Sequence, residues 1–257
     1  MKKKERALII SQTELAAGIF EMRLAAPQIS SCAVPGQFVM VGIRDESHIL
    51  PRPISICEAD KALGQIRLVY RIAGEGTREM STYLPGTSID LTGPLGKGYP
   101  LDAVNEDTTA LIVGGGIGIP PLLGLSKALN CTRKIVLGYR DELFLDHDFE
   151  SCGNIYISTD TGSHGVKGTV MDAISQYQIK PDIIFACGPL VMLKAVKGFA
   201  AEKGIPAFIS LEERMACGIG ACLGCVVKTP ERDNHSNVNN TRVCTEGPVF
   251  DSREVLL

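Results

Sequence analysis

"ALIVGGGIGIPPLLGL", Ala110 to Leu125, is the longest apolar run in the chain, and the reading of the fold turns on it. Its 16 residues fall short of the roughly 20 that a helix needs to cross a bilayer, and glycine and proline interrupt it. It reads instead as a buried strand, a glycine turn and a helix. Pro120 and Pro121 suit the first helical turn, where a missing N–H costs nothing. Outward from this stretch the same rhythm continues. "KIVLGYR", "IYIST", "DIIFACGP" and "AFISL" read as strands, and "GTVMDAISQYQ" and "LVMLKAVKGFAAEK" as helices. Strands alternating with helices predict a parallel sheet with crossover connections over residues 101–212.

Upstream the rhythm is different. "IFEMRL" and "IRLVYRI" alternate with the period of half-buried strands, "GQFVMVGI" and "PISI" are short apolar runs, and Gly and Pro fall between them. Residues 1–100 are therefore expected to form a small antiparallel β-barrel. Residues 213–257 remain as a small cysteine-bearing appendage that includes a polar stretch, "TPERDNHSNVNNT", read as a mobile loop. The fold class is thus mixed: a barrel, a parallel α/β domain and an appendage.

The 257 residues suffice for two ordinary domains, and a net charge of −3 gives no reason to expect a nucleic-acid partner. The basic start "MKKKER" is followed only by "ALII", too short for a signal-peptide core. The expectation is a cytoplasmic, non-membrane protein whose nine cysteines stay reduced, so that clustered thiols point to a metal and not to disulfides.

Gly114, Gly115, Gly116 and Gly118 lie where a strand feeds a helix, a place that favours a phosphate and hence a dinucleotide. The GxGxxG pattern fails at Ile119, so a tight padded turn stands as the other reading. At the end of a later strand, Cys187, Gly188 and Pro189 are candidates to line a nicotinamide pocket, with Cys187 the candidate catalytic residue. A lone cysteine also reads as a small buried hydrophobe, as Cys32, Cys57, Cys131 and Cys152 do. Arg140 next to Asp141 and Glu142 leaves the choice between NAD and NADP open. In the first domain Arg52, with N–H groups near Gly76 and Thr77, can hold a pyrophosphate; a proline-interrupted edge strand and a loop is the competing reading.

"MACGIGACLGC" places Cys217, Cys222 and Cys225 in a CxxxxCxxC pattern, and Cys244 follows. That spacing matches a plant-type 2Fe–2S centre. Four thiolates also satisfy zinc, which more often takes paired CxxC knuckles. His48, His147, His164 and His235 show no metal-ligand spacing. Glu212, Glu213 and Arg214 read as solvating residues at a junction, with a partner contact second.

An RPxS strand, a GxGT turn, GGGIG and CGPxxM together resemble the ferredoxin reductase family of FAD- and pyridine-nucleotide-binding proteins. With "SLEERMACGIGACLGC" added, the resemblance narrows to the electron-transfer subunits of NAD-dependent (class 1B) dihydroorotate dehydrogenases, over essentially the entire chain. It implies FAD on Arg52, Pro53, Ile54 and Ser55, on Val69, Tyr70 and Arg71, and on Gly76 and Thr77. The wider family usually has Tyr where Ile54 stands, so Tyr70 becomes the candidate for ring stacking. The resemblance further implies NAD, a 2Fe–2S cluster, and an FMN-containing partner subunit that oxidises dihydroorotate in pyrimidine (UMP) biosynthesis, two copies of each. Electrons would run from that FMN through 2Fe–2S and FAD to NAD+. The alternatives are the flavin and iron–sulfur subunit of an NAD(P)H-dependent ferredoxin or sulfide-linked reductase, and a zinc-stapled nucleotide-binding regulator.

Overall fold

The computed structural model describes residues 2–45, 49–232 and 237–257. Strand β1 (Lys3–Ala16) opens the chain, burying Glu5, Ala7 and Ile9 and exposing Lys4, Arg6, Leu8 and Ile10. Its period-2 pattern is hidden in the sequence because outward Leu8 and Ile10 complete the unbroken run "ALII". β2 (Ile19–Ala25), the short helix α1 (Pro27–Ser30), β3 (Phe38–Val41), β4 (Arg52–Asp60), β5 (Gln65–Arg71), α2 (Glu75–Met80) and β6 (Ser88–Leu95) follow. The six strands close in the order β1-β2-β5-β4-β3-β6, with every neighbouring pair antiparallel. Ile9, Met22, Leu24, Leu68, Tyr70 and Leu91 fill the interior, each contributing about 1.5–3 kcal/mol by leaving water.

β4 is not an outer edge, since β3 and β5 flank it. Its two halves pair differently, however: Arg52 to Ser55 lie opposite Val41 to Phe38 of β3, whereas the ladder to β5 begins only at Ile56↔Leu68. Pro53, which has no N–H to give, sits where the β5 side of the ladder is absent. Residues 52–55 and 69–71 therefore border one splayed seam in the barrel wall.

The second unit runs β7 (Thr109–Gly115), α3 (Pro120–Ala128), β8 (Thr132–Tyr139), β9 (Asn154–Thr159), β10 (Val166–Lys167), α4 (Val170–Gln176), β11 (Ile183–Cys187), α5 (Leu190–Lys203) and β12 (Ala207–Ser210). α4 is capped reciprocally by Thr169 and Asp172, and α5 ends on Gly204 at φ +67°. The sheet order is β10-β9-β8-β7-β11-β12-β15, parallel up to β12. From β7 the chain winds outward on one side and then crosses to β11 on the other, so the strand order reverses between β7 and β11.

After β12 the chain passes through the cysteine segment and a two-stranded hairpin, β13 (Val226–Lys228) with β14 (Asn240–Arg242). Residues 233–236 of the polar stretch, including His235, lie outside the described residues, as do residues 46–48 with His48. The chain then returns to the sheet as β15 (Val249–Asp251), antiparallel to β12. Among the described residues no helix is long and apolar enough to cross a membrane.

Barrel and α/β unit are locked together by Arg67 of β5, which is 6% exposed. Its guanidinium donates to Glu21 (2.6 Å) and Glu58 (2.9 Å) of the barrel and to Asp148 (2.6 Å) of the α/β unit. Beside it α3 lies on β4 so closely that a Cβ on Gly124 would stand 2.8 Å from the Cys57 carbonyl oxygen.

Candidate functional site

At the barrel seam the Arg52 side chain lies against Gly76, where a Cβ would overlap the guanidinium. The glycine in "GEGT" thus admits an arginine to the start of α2. The Thr77 hydroxyl is taken by its own turn: it accepts the N–H groups of Ala73 (2.8 Å) and Gly74 (3.2 Å) and donates to the Gly74 carbonyl. It shapes the turn and leaves the binding of a ligand there to backbone N–H groups and Arg52. Ile54 points into the barrel, 8% exposed. The stacking role expected of Tyr70 meets a correction. Its ring is 2% exposed, packs on Phe20 at 6.0 Å and donates its hydroxyl to Gln12 Oε1 (3.1 Å), so neither ring face is open. Strand alternation places Tyr70 inside and turns Val69 toward the α/β unit, while Arg71 is exposed.

The two glycine motifs of the α/β unit come together at the switch point. Register sets Cys187 beside Gly114. A Cβ on Gly118 would overlap the Cys187 carbonyl, one on Gly115 would stand 2.6 Å from Met192 Sδ and 3.0 Å from Pro189 Cδ, and one on Gly188 would stand 2.6 Å from Met192 Cε. Gly116, at φ +51°, has open space around it. A crevice at the carboxyl ends of strands where their order reverses is where open α/β sheets bind nucleotides.

Burial pushes the partly exposed Cys187 thiol up to about 12, offset in part by a hydrogen bond with Ser210 and reinforced by the Glu212 carboxylate. Burial thus favours the neutral thiol over the thiolate at this strand end. Tyr99 braces the strand end by donating to the Ala186 carbonyl (3.1 Å). Beyond β8, Asp141 accepts the Thr161 hydroxyl (2.7 Å), and Glu142 accepts the Ala17 N–H (3.2 Å) at the junction with the barrel. Of the cysteines read as small buried hydrophobes, Cys57 and Cys152 are buried, whereas Cys32, at the end of α1, and Cys131, in the turn before β8, are only half-buried.

The four cluster cysteines stand as two pairs. The Cys222 N–H donates to Cys217 Sγ (3.4 Å), and contact with Cys225 disfavours ionisation of Cys244. Among the described residues no three His, Cys, Asp or Glu side chains are gathered closely enough to hold a metal ion as they stand; a 2Fe–2S centre is held by four cysteine thiolates. Gly218 at φ +66° and Gly220 at φ +91° let the loop fold tightly, and a Cβ on Gly218 would stand 2.6 Å from Met40 Cγ. The loop turns N–H groups onto sulfur, Ile219 and Cys222 onto Cys217 (3.5 and 3.4 Å) and Gly224 onto Cys222 (3.5 Å). Burial opposes ionisation of Cys217, but these donors prevail and hold its thiol at about 6. Burial, then contact with Cys225, pushes Cys244 up to about 11. A donor set of four thiols served by backbone N–H groups fits an iron–sulfur centre.

Arg242 and Glu246 belong to this site and were missed in the sequence. The Arg242 guanidinium donates to both Glu246 oxygens (3.0 and 2.6 Å) and to the Gly220 carbonyl (3.1 Å). It ties the loop bearing Cys244 to the loop bearing Cys217 and Cys222. A basic and an acidic residue at i and i+4 flanking a cysteine was the available signal. Of the histidines, His147 pairs with Glu150 (2.7 Å) and His164 with Ser163 (3.2 Å).

Residues 212–256 match the family model described as the iron-sulfur cluster binding domain of dihydroorotate dehydrogenase B. Over 263 aligned residues, covering 100% of both chains, the protein is 42% identical to the dihydroorotate dehydrogenase B (NAD(+)), electron transfer subunit of Bacillus cereus (strain B4264). The chain belongs to this family of electron transfer subunits. A Bacillus anthracis member (strain CDC 684 / NRRL 3495) is 41% identical over the same span. A chain of an NADH-dependent reduced ferredoxin-NADP oxidoreductase superposes with a TM-score of 0.86 at 30% identity, covering 97% of this subunit and 89% of that chain. The ferredoxin reductase of carbazole 1,9a-dioxygenase, at 17% identity and a TM-score of 0.65 over 80% of this chain and 67% of its own, shares the fold.

Proposed function

We propose that the chain is the electron-transfer subunit that carries electrons from the FMN of a dihydroorotate-oxidising partner, through 2Fe–2S and FAD, to NAD+ in pyrimidine biosynthesis. The observation that carries this reading is the presence on one chain of a four-thiol centre, a barrel seam with Arg52 at Gly76, and two glycine turns meeting at the switch point. Full-length identity to named electron transfer subunits supports it.

Bound flavin supplies the ability to exchange electrons singly or in pairs, the chemistry that joins a nicotinamide to an iron–sulfur centre. The chain's own residues bind and orient. Arg52 and the backbone N–H groups of Gly76 and Thr77 hold a pyrophosphate, and the backbone of residues 52–55 and 69–71 lines the seam beside it. Gly114, Gly115, Gly116, Gly118, Gly188 and Pro189 form the nicotinamide nucleotide site, and Cys187 contributes a neutral, polarisable wall. Asp141, held by Thr161, suits a free ribose 2′-OH and supports NAD over NADP. Cys217, Cys222, Cys225 and Cys244 ligate the cluster. Divisions at residues 100/101 and 212/213 separate these three tasks, although β15 of the last segment packs back into the sheet of the second unit. The working assembly is two copies of each subunit in the cytoplasm.

The test is a steady-state assay with the FMN-containing partner: dihydroorotate oxidation must reduce NAD+ in a manner dependent on this chain. The structural likeness to an NADH-dependent ferredoxin-NADP oxidoreductase chain favours a second reading, a ferredoxin-linked reductase subunit. NADH-dependent ferredoxin reduction without coupling to dihydroorotate would select it.

A further inference from the structure

We infer that Arg242, positioned by Glu246, raises the reduction potential of the iron–sulfur centre and clamps its two ligand loops together. The inference rests on the functional reading above. Arg242 closes β14 two residues before Cys244, and Glu246 follows two residues after it. Besides the side-chain fork, the Arg242 backbone N–H donates to Glu246 Oε2 (3.0 Å), and the Thr245 hydroxyl donates to the same oxygen (2.8 Å). The Arg242 carbonyl accepts the N–H groups of Thr245, Glu246 and Gly247. The segment is thus wound around Arg242 at both its backbone and its side chain, with Cys244 inside the turn. The remaining reach of the guanidinium goes to the Gly220 carbonyl, between Cys217 and Cys222. A planar fork donating to two carboxylate oxygens while also holding a carbonyl is a task that a lysine cannot reproduce.

Charge gives the clamp its second role. Four thiolates leave a 2Fe–2S centre negative, and reduction adds a further electron, so nearby positive charge favours the reduced state. The Arg242 guanidinium, held on the Gly220 carbonyl between Cys217 and Cys222 and two residues before Cys244 in the chain, puts its charge beside both ligand loops. Glu246 acts with the opposite sign. Both side chains are more than a third exposed, 39% and 37%, so their effect on the potential must weaken as salt rises.

The experiment is an anaerobic redox titration of the purified, iron-loaded chain, followed by visible and electron paramagnetic resonance spectra, at low and high salt. Arg242→Gln is expected to lower the midpoint potential and Glu246→Gln to raise it, both shifts shrinking at high salt. Arg242→Lys is expected to stay near the parent potential while losing iron faster to a chelator. Shifts of the same sign, or none, in iron-loaded variants overturn the inference alone. Should Arg242→Gln fail to hold iron, Glu246→Gln carries the test by itself, and an unchanged or lowered potential overturns the inference. A parent chain that binds no iron overturns the functional reading and the inference with it.

Discussion

Gly118 has no room for a methyl group, because the Cys187 carbonyl occupies the place where a Cβ would go. Gly118→Ala must therefore push the two glycine turns apart at the switch point. The expected outcome is a rise of roughly tenfold or more in KM for NADH, about 1.4 kcal/mol or more of lost binding, with flavin content unchanged; steady-state kinetics and flavin release measure the two. Cys187 is a second residue whose chemistry is constrained. Burial pushes its thiol up to about 12, so it is expected to stay protonated in the neutral range and to lose its proton only as pH rises toward that value. Alkylation with iodoacetamide at pH 8, read by peptide mass spectrometry, is expected to leave Cys187 unlabelled, and rapid labelling would show that it is a thiolate. At the cluster, Cys222→Ser is expected to lose iron while NADH oxidation by an artificial two-electron acceptor persists. Iron analysis and that assay check it together.

Among the elements, β5 carries the junction through Arg67, which reaches Glu21, Glu58 and Asp148. Removing a partner from a buried ion pair costs about 3–5 kcal/mol, and Arg67→Ala leaves Glu21 only its pair with Arg23 and Glu58 only its pair with Lys127, which places the cost at the lower end. A loss of about 3 kcal/mol is expected on thermal or urea unfolding. Asp148→Asn is expected to cost much less, because that carboxylate is a third exposed (32%) and keeps access to water. What the sequence disclosed and what it withheld divide along the same line. Glycine turns, the alternation of strand and helix and the cysteine spacing are local patterns, so β7, α3, β11, α5 and the four thiols could be read directly. The Arg67–Asp148 contact joins residues 81 positions apart, and no local pattern announces it. β15 is a three-residue strand whose place is set by β12, and β1 conceals its period behind two outward apolar residues. Tyr70 shows the limit of a motif: the motif placed the residue at the seam, but strand alternation turned its ring inward.

At the scale of the whole molecule the chain carries three candidate binding regions, and its family of electron transfer subunits implies a catalytic partner subunit. Arg67 joins barrel and α/β unit through Asp148, and β15 returns the cysteine segment to the sheet, so the cluster loop is anchored at both ends. The central claim is that these regions form one electron path, and an anaerobic titration of the purified chain with NADH tests it most directly. With iron near two per chain and one FAD, the account predicts that NADH bleaches the flavin and produces the electron paramagnetic resonance signal of a reduced 2Fe–2S centre, which Cys222→Ser abolishes while flavin bleaching remains. Zinc in place of iron, or an iron centre that NADH cannot reduce, would contradict it.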